Sequence, residues 1–240
     1  MKLVKLITIE GTMTCTSGLH IGGNNDGTKV GGSDNTIIRN PMNGKPYIPG
    51  SSVKGVMRST LEKGLGKSNN GKPCGCGRKD CIVCTLFGAH MNTRPECGEP
   101  RLRIFDMQID EEFEQNLINS GRSFYDIIES VSSTMIDRST GMAYKEPGRG
   151  GSLRSTERVA AGTKFHCKFI IKVFEGDNEK KLLSTVENLI THLENIGLGA
   201  KTSSGSGNVK FDIDWDNIVS ESMGFWYYAN IGGIISCYIK

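Results

Sequence analysis

An amphipathic helix between two apolar strands in the second half of the chain limits the folds that this sequence can adopt. After Asn178, leucine, isoleucine and valine recur at helical spacing, and Gly197 stands where a C-terminal capping glycine belongs. The apolar segment 165–174 precedes this helix, and segment 208–214 follows it with strand character. A strand, a helix and a strand in this order predict half of a domain that packs helices on a sheet.

The first half of the chain repeats the same order. Segment 3–16 has strand character, segment 51–64 carries an apolar stripe at helical spacing, and segment 101–109 again reads as a strand. The complete order is therefore β, α, β, β, α, β. This order predicts an α+β domain with a ferredoxin-like (RRM-like) core, decorated by long insertions.

Two long segments interrupt this core. Residues 65–100 are rich in glycine, cysteine, asparagine and proline, and we expect no regular structure there. Residues 132–162 have no clean period and contain several basic side chains, and loops of this length are usually functional or disordered. We predict one domain over 1–214 with these two insertions, followed by an aromatic-rich C-terminal tail over 215–240.

Four cysteines lie close together in the first insertion, with the spacing C-x-C-x4-C-x2-C. They are Cys74, Cys76, Cys81 and Cys84. Two pairs of thiolates joined by a short turn can surround one tetrahedral ion, and an all-sulfur site favours Zn²⁺. Four thiolates leave no open coordination position, so the spacing predicts a structural zinc site and a zinc-binding insert.

Other readings of the same cysteines stay open. Cys81 and Cys84 form a C-x-x-C pair, but a redox pair normally opens a helix inside a βαβ unit, so metal binding is favoured. An iron–sulfur cluster also uses four thiolates. Cys97 or His90 could replace one of the four ligands.

Segment 46–58 predicts a helix whose N-terminus meets an anion. Ser51 or Ser52 can cap the first amides, and Lys54 and Arg58 fall four residues apart on one face. Free N–H groups beside two cations form a ready phosphate site. Because helices with a basic solvent face are common, the pattern alone is only suggestive of a polyphosphate ligand.

Net charge gives no independent support for nucleic acid. The formal charge is only +3, so any basic surface must be local. Lys5 and Glu10 interrupt the N-terminal apolar run, and segment 224–239 is shorter than the ~20 residues of a membrane-spanning helix. We therefore expect a cytoplasmic protein that does not bind membranes.

Four motifs together resemble one family. They are Gly-Leu-His-Ile-Gly-Gly at 18–23, Asp34 six residues before an Asn-Pro pair, Pro-Gly-Ser-Ser-x-Lys-Gly-x-x-Arg at 49–58, and a glycine-rich loop at 198–211. In this order they resemble the RAMP proteins that form the backbone of type III CRISPR effector complexes, in particular the target-cleaving backbone subunits of the Csm kind. The resemblance covers about residues 1–214.

The resemblance implies a function and partners. It implies a subunit that binds guide crRNA and cleaves the guide-paired target RNA at regular intervals, as a metal-dependent endoribonuclease using Mg²⁺ or Mn²⁺. The partners would be guide and target RNA, copies of itself or paralogous backbone subunits, and the other type III effector subunits. Segment 132–162 would form a thumb-like β-hairpin that reaches between guide and target strands.

The resemblance also assigns residues. Asp34 would be catalytic, although an aspartate in a glycine-flanked loop is more often a turn former, and Asp26 is a nearby second choice. The residues implied to bind RNA are His20, Gly50, Ser51, Ser52, Lys54, Arg58, Met135, Arg138, Lys201 and Ser204.

Three alternatives remain open at this point. The chain could be a backbone subunit that binds without cutting, or a relative that processes precursor guide RNA. It could also be a zinc-stapled RNA-binding assembly module outside CRISPR.

Overall fold

The computed structural model describes residues 1–23, 35–68, 71–144 and 153–222. The strands in chain order are β1 (Leu3–Cys15), β2 (Leu102–Ile104), β3 (Gln108–Ile109), β4 (Ile128–Ser133), β5 (Arg154–Val159), β6 (Lys164–Phe174), β7 (Val209–Ile213) and β8 (Val219–Ser222). The helices are α1 (Gly50–Gly64), α2 (Ile82–Phe87), α3 (Glu111–Asn119) and α4 (Glu179–Ile196), with a short 3₁₀ turn at Thr202–Ser204.

The main sheet is centred on β1 and β6. These two strands pair antiparallel along almost their whole length, and the sheet order is β2-β6-β1-β7, with β3 also on β6 and β8 also on β1. Along β6 the buried residues alternate, from Phe165 through Cys167 and Phe169 to Ile171. Because successive side chains of a strand point to opposite faces, this alternation turns one apolar face toward the core.

Helices α1 and α4 pack against each other beside this sheet. Val53 and Met57 of α1 are fully buried, and α4 buries the apolar residues whose helical spacing predicted it. Asn178 caps α4 by accepting the N–H of Lys181 at 3.0 Å, and Gly197 ends the helix with a φ of +82°. The mixed α and β class with helices at both predicted places is therefore confirmed.

The predicted strand over 101–109 is divided in two. Between β2 and β3, the backbone of Met107 leaves the sheet and exchanges two hydrogen bonds with Ile48, at 3.0 and 2.8 Å. The loop that enters α1 is thereby fixed to the chain between these strands.

The prediction that segment 65–100 lacks regular structure is wrong, because helix α2 lies within it. Val83, Leu86 and Phe87 on α2 are buried in the core, which stabilises a helix in otherwise irregular surroundings. Arg101 holds the end of the segment: its Nε and Nη2 donate to the carboxylate of Asp177 at 2.9 and 3.0 Å, and its Nη1 donates to the carbonyl oxygen of Cys97.

A second sheet consists of β4 and β5, paired antiparallel from Ile128 opposite Val159 to Ser133 opposite Arg154. In the described part of the segment that joins them, Ile136 and Ala143 form a further bridge. This paired structure begins before residue 132, where the insertion was predicted to start. No helix in the described ranges is long and apolar enough to cross a membrane.

Candidate functional site

Two of the sequence motifs meet in the structure. The glycine-rich loop before β7 packs on the chain that follows β1: Ala200 N–H donates to the carbonyl oxygen of His20, and Gly207 N–H donates to that of Gly18, both at 2.9 Å. Gly199 has a φ of +77°, and a Cβ on it would lie 2.2 Å from the His20 oxygen. Only glycine allows this approach, so the loop and the motif at 18–23 fit together.

The segment after Asp34 joins the same cluster. Asn35 N–H donates to Ser155 O at 3.2 Å, and Glu157 N–H donates to Asn35 O at 2.9 Å, so Asn35 is fixed on β5. The Glu157 carboxylate also accepts from Arg39 Nη2 at 2.9 Å. Asp34 itself, and Asp26, lie outside the described residues.

His20 and Lys201 also contact β5. His20 Nδ1 lies 2.6 Å from the carbonyl oxygen of Glu157, and because a carbonyl only accepts, Nδ1 carries the hydrogen. Lys201 lies in the left-handed region with a φ of +60°, and its Nζ is 3.5 Å from Thr156 Oγ1. Three residues from other segments therefore lie around Thr156 on β5. They are His20, Asn35 and Lys201.

The N-terminus of α1 differs from the sequence prediction. Neither Ser51 nor Ser52 caps the helix; the capping position is Pro49, and Gly50 N–H donates to Asp106 Oδ1 at 2.8 Å. The expected serine cap is thus wrong, because the loop between β2 and β3 brings a carboxylate to the first amide. A carboxylate at this end interacts favourably with the helix dipole, and it already uses one of the N–H groups predicted for phosphate.

Of the two cations predicted to share one face of α1, Lys54 is the one that remains available. Its side chain is partly buried, and no carboxylate pairs with it within the described part of the chain. Desolvation by burial, and secondly the nearby charge of Arg58, lower the pKa of Lys54. An anion beside this ammonium would favour its charged form and oppose both effects.

Arg58 does not share an open basic face with Lys54. Its side chain is only 17% exposed, its Nε donates to Glu62 Oε1 at 2.8 Å, and its Nη2 donates to the carbonyl oxygen of Cys74 at 2.8 Å. The expectation of a solvent-facing Arg58 is corrected, because Glu62 one turn later holds the guanidinium on the cysteine segment. RNA binding by Arg58 remains a prediction.

The remaining predicted residues are exposed. Met135, with 54% of its surface exposed, and Arg138 lie between β4 and β5, in a turn that Asp137 stabilises by accepting from Ser139. Ser204 is exposed in the glycine-rich loop, where its hydroxyl donates to Lys201 O at 3.0 Å.

The four predicted cysteines converge on one point. Cys74 Sγ lies 3.7 Å from the sulfurs of Cys76 and Cys84 and 3.9 Å from that of Cys81. All four sulfurs are within 4.8 Å of one another, and among the described residues neither Cys97 nor His90 belongs to this group. The segment therefore presents four converging thiols that are able to hold a metal ion.

The four thiols differ in exposure and acidity. Cys76 is exposed, whereas the other three are buried. Burial raises the pKa of the Cys76 thiol, but hydrogen bonds from the backbone of Arg78 and from the neighbouring thiols outweigh it and set the pKa at about 7. Burial raises the pKa of Cys81 and Cys84. A bound cation would favour the thiolate form of all four.

Sequence reasoning missed three residues that organise this surface: Glu62, Asp106 and Glu157. The four-residue spacing from Arg58 to Glu62 is a recognisable helical ion-pair signal. Asp106 and Glu157 act across the fold, and no local pattern points to them.

Comparisons with known proteins identify the family of this chain. A family model described as the RAMP superfamily matches residues 12–210. The chain is 33% identical over 221 residues to the CRISPR system Cms endoribonuclease Csm3 of Methanothermobacter thermautotrophicus, covering 88% of this chain and 85% of that protein. A protein of the same name from Methanocaldococcus jannaschii is 33% identical over 211 residues, covering 85% and 78%.

Solved structures share the fold. The Csm3–Csm4 subcomplex of the type III-A CRISPR-Cas interference complex matches with a TM-score of 0.58 at 23% identity, covering 93% of this chain and 83% of that one. A chain of the type III-B Cmr-beta complex bound to cognate target RNA matches with a TM-score of 0.58 at 14% identity, covering 86% and 96%. On the sequence matches, this chain belongs to the RAMP superfamily and, within it, to the Csm3 family.

Proposed function

We propose that this chain is a backbone subunit of a type III CRISPR ribonucleoprotein, which binds guide RNA and cleaves the guide-paired target RNA endonucleolytically. The observation that carries the proposal is 33% identity over 88% of the chain to a protein named endoribonuclease Csm3. Its partners would be guide and target RNA, further backbone subunits and the other effector subunits. A subunit with this function would act in the cytoplasm.

The proposed RNA interface combines α1 with the cluster on β5. Lys54, Lys201 and the exposed hydroxyls of Ser51 and Ser204 are suited to sugar and phosphate, and His20 supports the loop that carries Lys201. Such contacts position a strand without reading its bases. Target choice would therefore come from pairing with the guide.

The paired strands β4 and β5 support a thumb-like hairpin over 132–162, with Met135 and Arg138 exposed between them. The sheet also supports a ferredoxin-like core. Strands β1, β2, β6 and β7 are the four strands of the predicted βαββαβ order. They lie side by side and antiparallel in the order β2-β6-β1-β7.

Asp34 is our proposed catalytic residue. The chemistry would be attack of the target's own 2′-hydroxyl on the adjacent phosphate, giving a 2′,3′-cyclic phosphate and a 5′-hydroxyl. A carboxylate with an ordinary pKa of about 3.9 is a weak base at neutral pH, so orienting the hydroxyl outweighs proton abstraction. Mg²⁺ or Mn²⁺ is the hard cation whose chemistry suits such a carboxylate.

The cysteine group supports a structural Zn²⁺. With Zn–S bonds of about 2.3 Å, the sulfurs of a regular tetrahedral site lie about 3.8 Å apart. Four of the six sulfur–sulfur distances are 3.7 to 3.9 Å, which fits this geometry, and all six are within 4.8 Å. Such a closed site supplies rigidity to segment 65–100, with no coordination position left for catalysis.

Replacing Lys54 with glutamine tests the RNA interface. We expect weaker binding of short single-stranded RNA and a slope of log K against log salt that falls by about 0.7, because one phosphate contact is lost. Fluorescence anisotropy over a salt series measures both. The exposed Lys63 in the last turn of the same helix gives the control, since Lys63→Gln removes the same charge.

An unchanged slope in Lys54→Gln would contradict the interface. An equal fall in Lys63→Gln would also contradict it, because binding would then follow overall charge alone.

A further inference from the structure

An ion pair on α1 holds both backbone groups of one cysteine in the four-thiol group. Glu62 Oε1 accepts the N–H of Cys74 at 2.9 Å, and Arg58 Nη2 donates to the Cys74 carbonyl oxygen at 2.8 Å. Arg58 and Glu62 bind each other at 2.8 Å. The pair thus fixes the orientation of one peptide segment from both sides.

This contact is shielded from water. Glu62 is only 6% exposed, Cys74 only 7%, and the Arg58 side chain 17%. Removing one partner of such a pair leaves the other with an unsatisfied, largely buried charge, which is strongly unfavourable. The arrangement therefore resists reorientation of Cys74.

Cys74 is the central member of the thiol group. Its sulfur is within 3.9 Å of each of the other three, so its position sets where four sulfurs converge. Groups that orient a metal ligand without touching the metal commonly change metal affinity by about 10- to 100-fold when they are removed.

We propose that Arg58 and Glu62 are positioning residues of the four-cysteine metal site, and that Arg58 acts there instead of on RNA phosphates. The inference rests on the proposed metal site and RNA interface. It separates Lys54 and Arg58, which the sequence pattern groups together, into two different roles one helical turn apart.

Two measurements on the 240-residue chain test this separation. The first is the rate at which Zn²⁺ passes to a coloured chelator. The second is the salt dependence of RNA binding with zinc saturating. We expect Arg58→Ala to release zinc about 10- to 100-fold faster with an unchanged salt slope. We expect Lys54→Gln to release zinc at the parent rate with a salt slope lower by about 0.7.

Conservative variants distinguish positioning from general destabilisation. Arg58→Lys keeps the charge but loses the two-pronged donor, and Glu62→Gln keeps an acceptor but loses the charge, so both should release zinc at intermediate rates. With Co²⁺ in place of zinc, the visible spectrum of a tetrahedral thiolate site should shift in these variants. Arg94 is an exposed arginine in the same segment and gives the control. Arg94→Ala should match the parent chain in zinc release rate, Co²⁺ spectrum and salt slope.

Zinc release at the parent rate in Arg58→Ala would overturn the inference. A lowered salt slope in this variant would overturn it as well. If Arg58→Ala does not fold, Arg58→Lys and Glu62→Gln replace it in the test. Zinc release at the parent rate in these two variants would then contradict the inference. If the parent chain binds no metal, the proposed metal site is wrong. If the parent chain binds no RNA, the proposed function is wrong. Both results are obtained from the parent chain before any variant is made.

Discussion

Replacing Asp34 with alanine should slow cleavage of guide-paired target RNA by about 10²-fold or more, because the 2′-hydroxyl loses its orientation toward the phosphate, while RNA affinity stays unchanged. Asp34 is joined by one peptide bond to Asn35, which is fixed on β5 beside Thr156, and Lys201 reaches the same threonine. Loss of one carboxylate removes no cation from this surface. Because only cleavage should change, cleavage by the reconstituted complex and RNA binding are measured on the same preparations.

Asp26 provides the matched control for this experiment. It lies in the same glycine-rich stretch and carries the same charge, so Asp26→Ala tests whether loss of any carboxylate there is sufficient. We expect it to cut at the rate of the unaltered chain. If Asp34→Ala cuts normally, or if Asp26→Ala alone loses cleavage, the assignment of Asp34 is wrong.

Replacing Cys84 with serine should remove the bound metal and loosen segment 71–100. Cys84 is fully buried, and its neighbours on α2 are the apolar residues Val83 and Leu86, which attach the segment to the core. Structural zinc in zinc-finger peptides binds with about 10–16 kcal/mol, so even part of this free energy determines whether so short a helix stays folded. Metal content and amide hydrogen exchange measure the two effects.

Cys97 is the control for the metal experiment. It is buried in the same segment, but its thiol donates to the carbonyl oxygen of Gly98 and lies outside the four-thiol group. Cys97→Ala should therefore keep about one metal ion per chain. Metal loss in Cys97→Ala, or full metal content in Cys84→Ser, would contradict the proposed ligand set.

Elements with a strong period could be predicted from the sequence. The spacing of apolar residues after Asn178, together with the C-terminal glycine Gly197, predicted α4 almost to the residue. The cysteine spacing likewise gave the four converging thiols, because all four lie within one short, glycine-containing segment.

Contacts between distant segments could not be predicted in this way. The helical spacing of Lys54 and Arg58 indicated a shared basic face, yet burial against the cysteine segment turns Arg58 away from solvent. The Asp106 carboxylate at the N-terminus of α1 depends on where the chain between β2 and β3 passes, which no local pattern specifies. Helix α2 forms because its apolar residues are buried, although the composition of its segment favours a loop.

We propose that this subunit cuts RNA through the target's own 2′-hydroxyl. The most direct test is a guide-paired target RNA that carries a single 2′-deoxyribonucleotide at one cleavage position, offered to the complex assembled with this chain. We expect this position alone to stay intact while the neighbouring positions are cut to 2′,3′-cyclic phosphate and 5′-hydroxyl ends. Cutting at the deoxy position at the normal rate would contradict it.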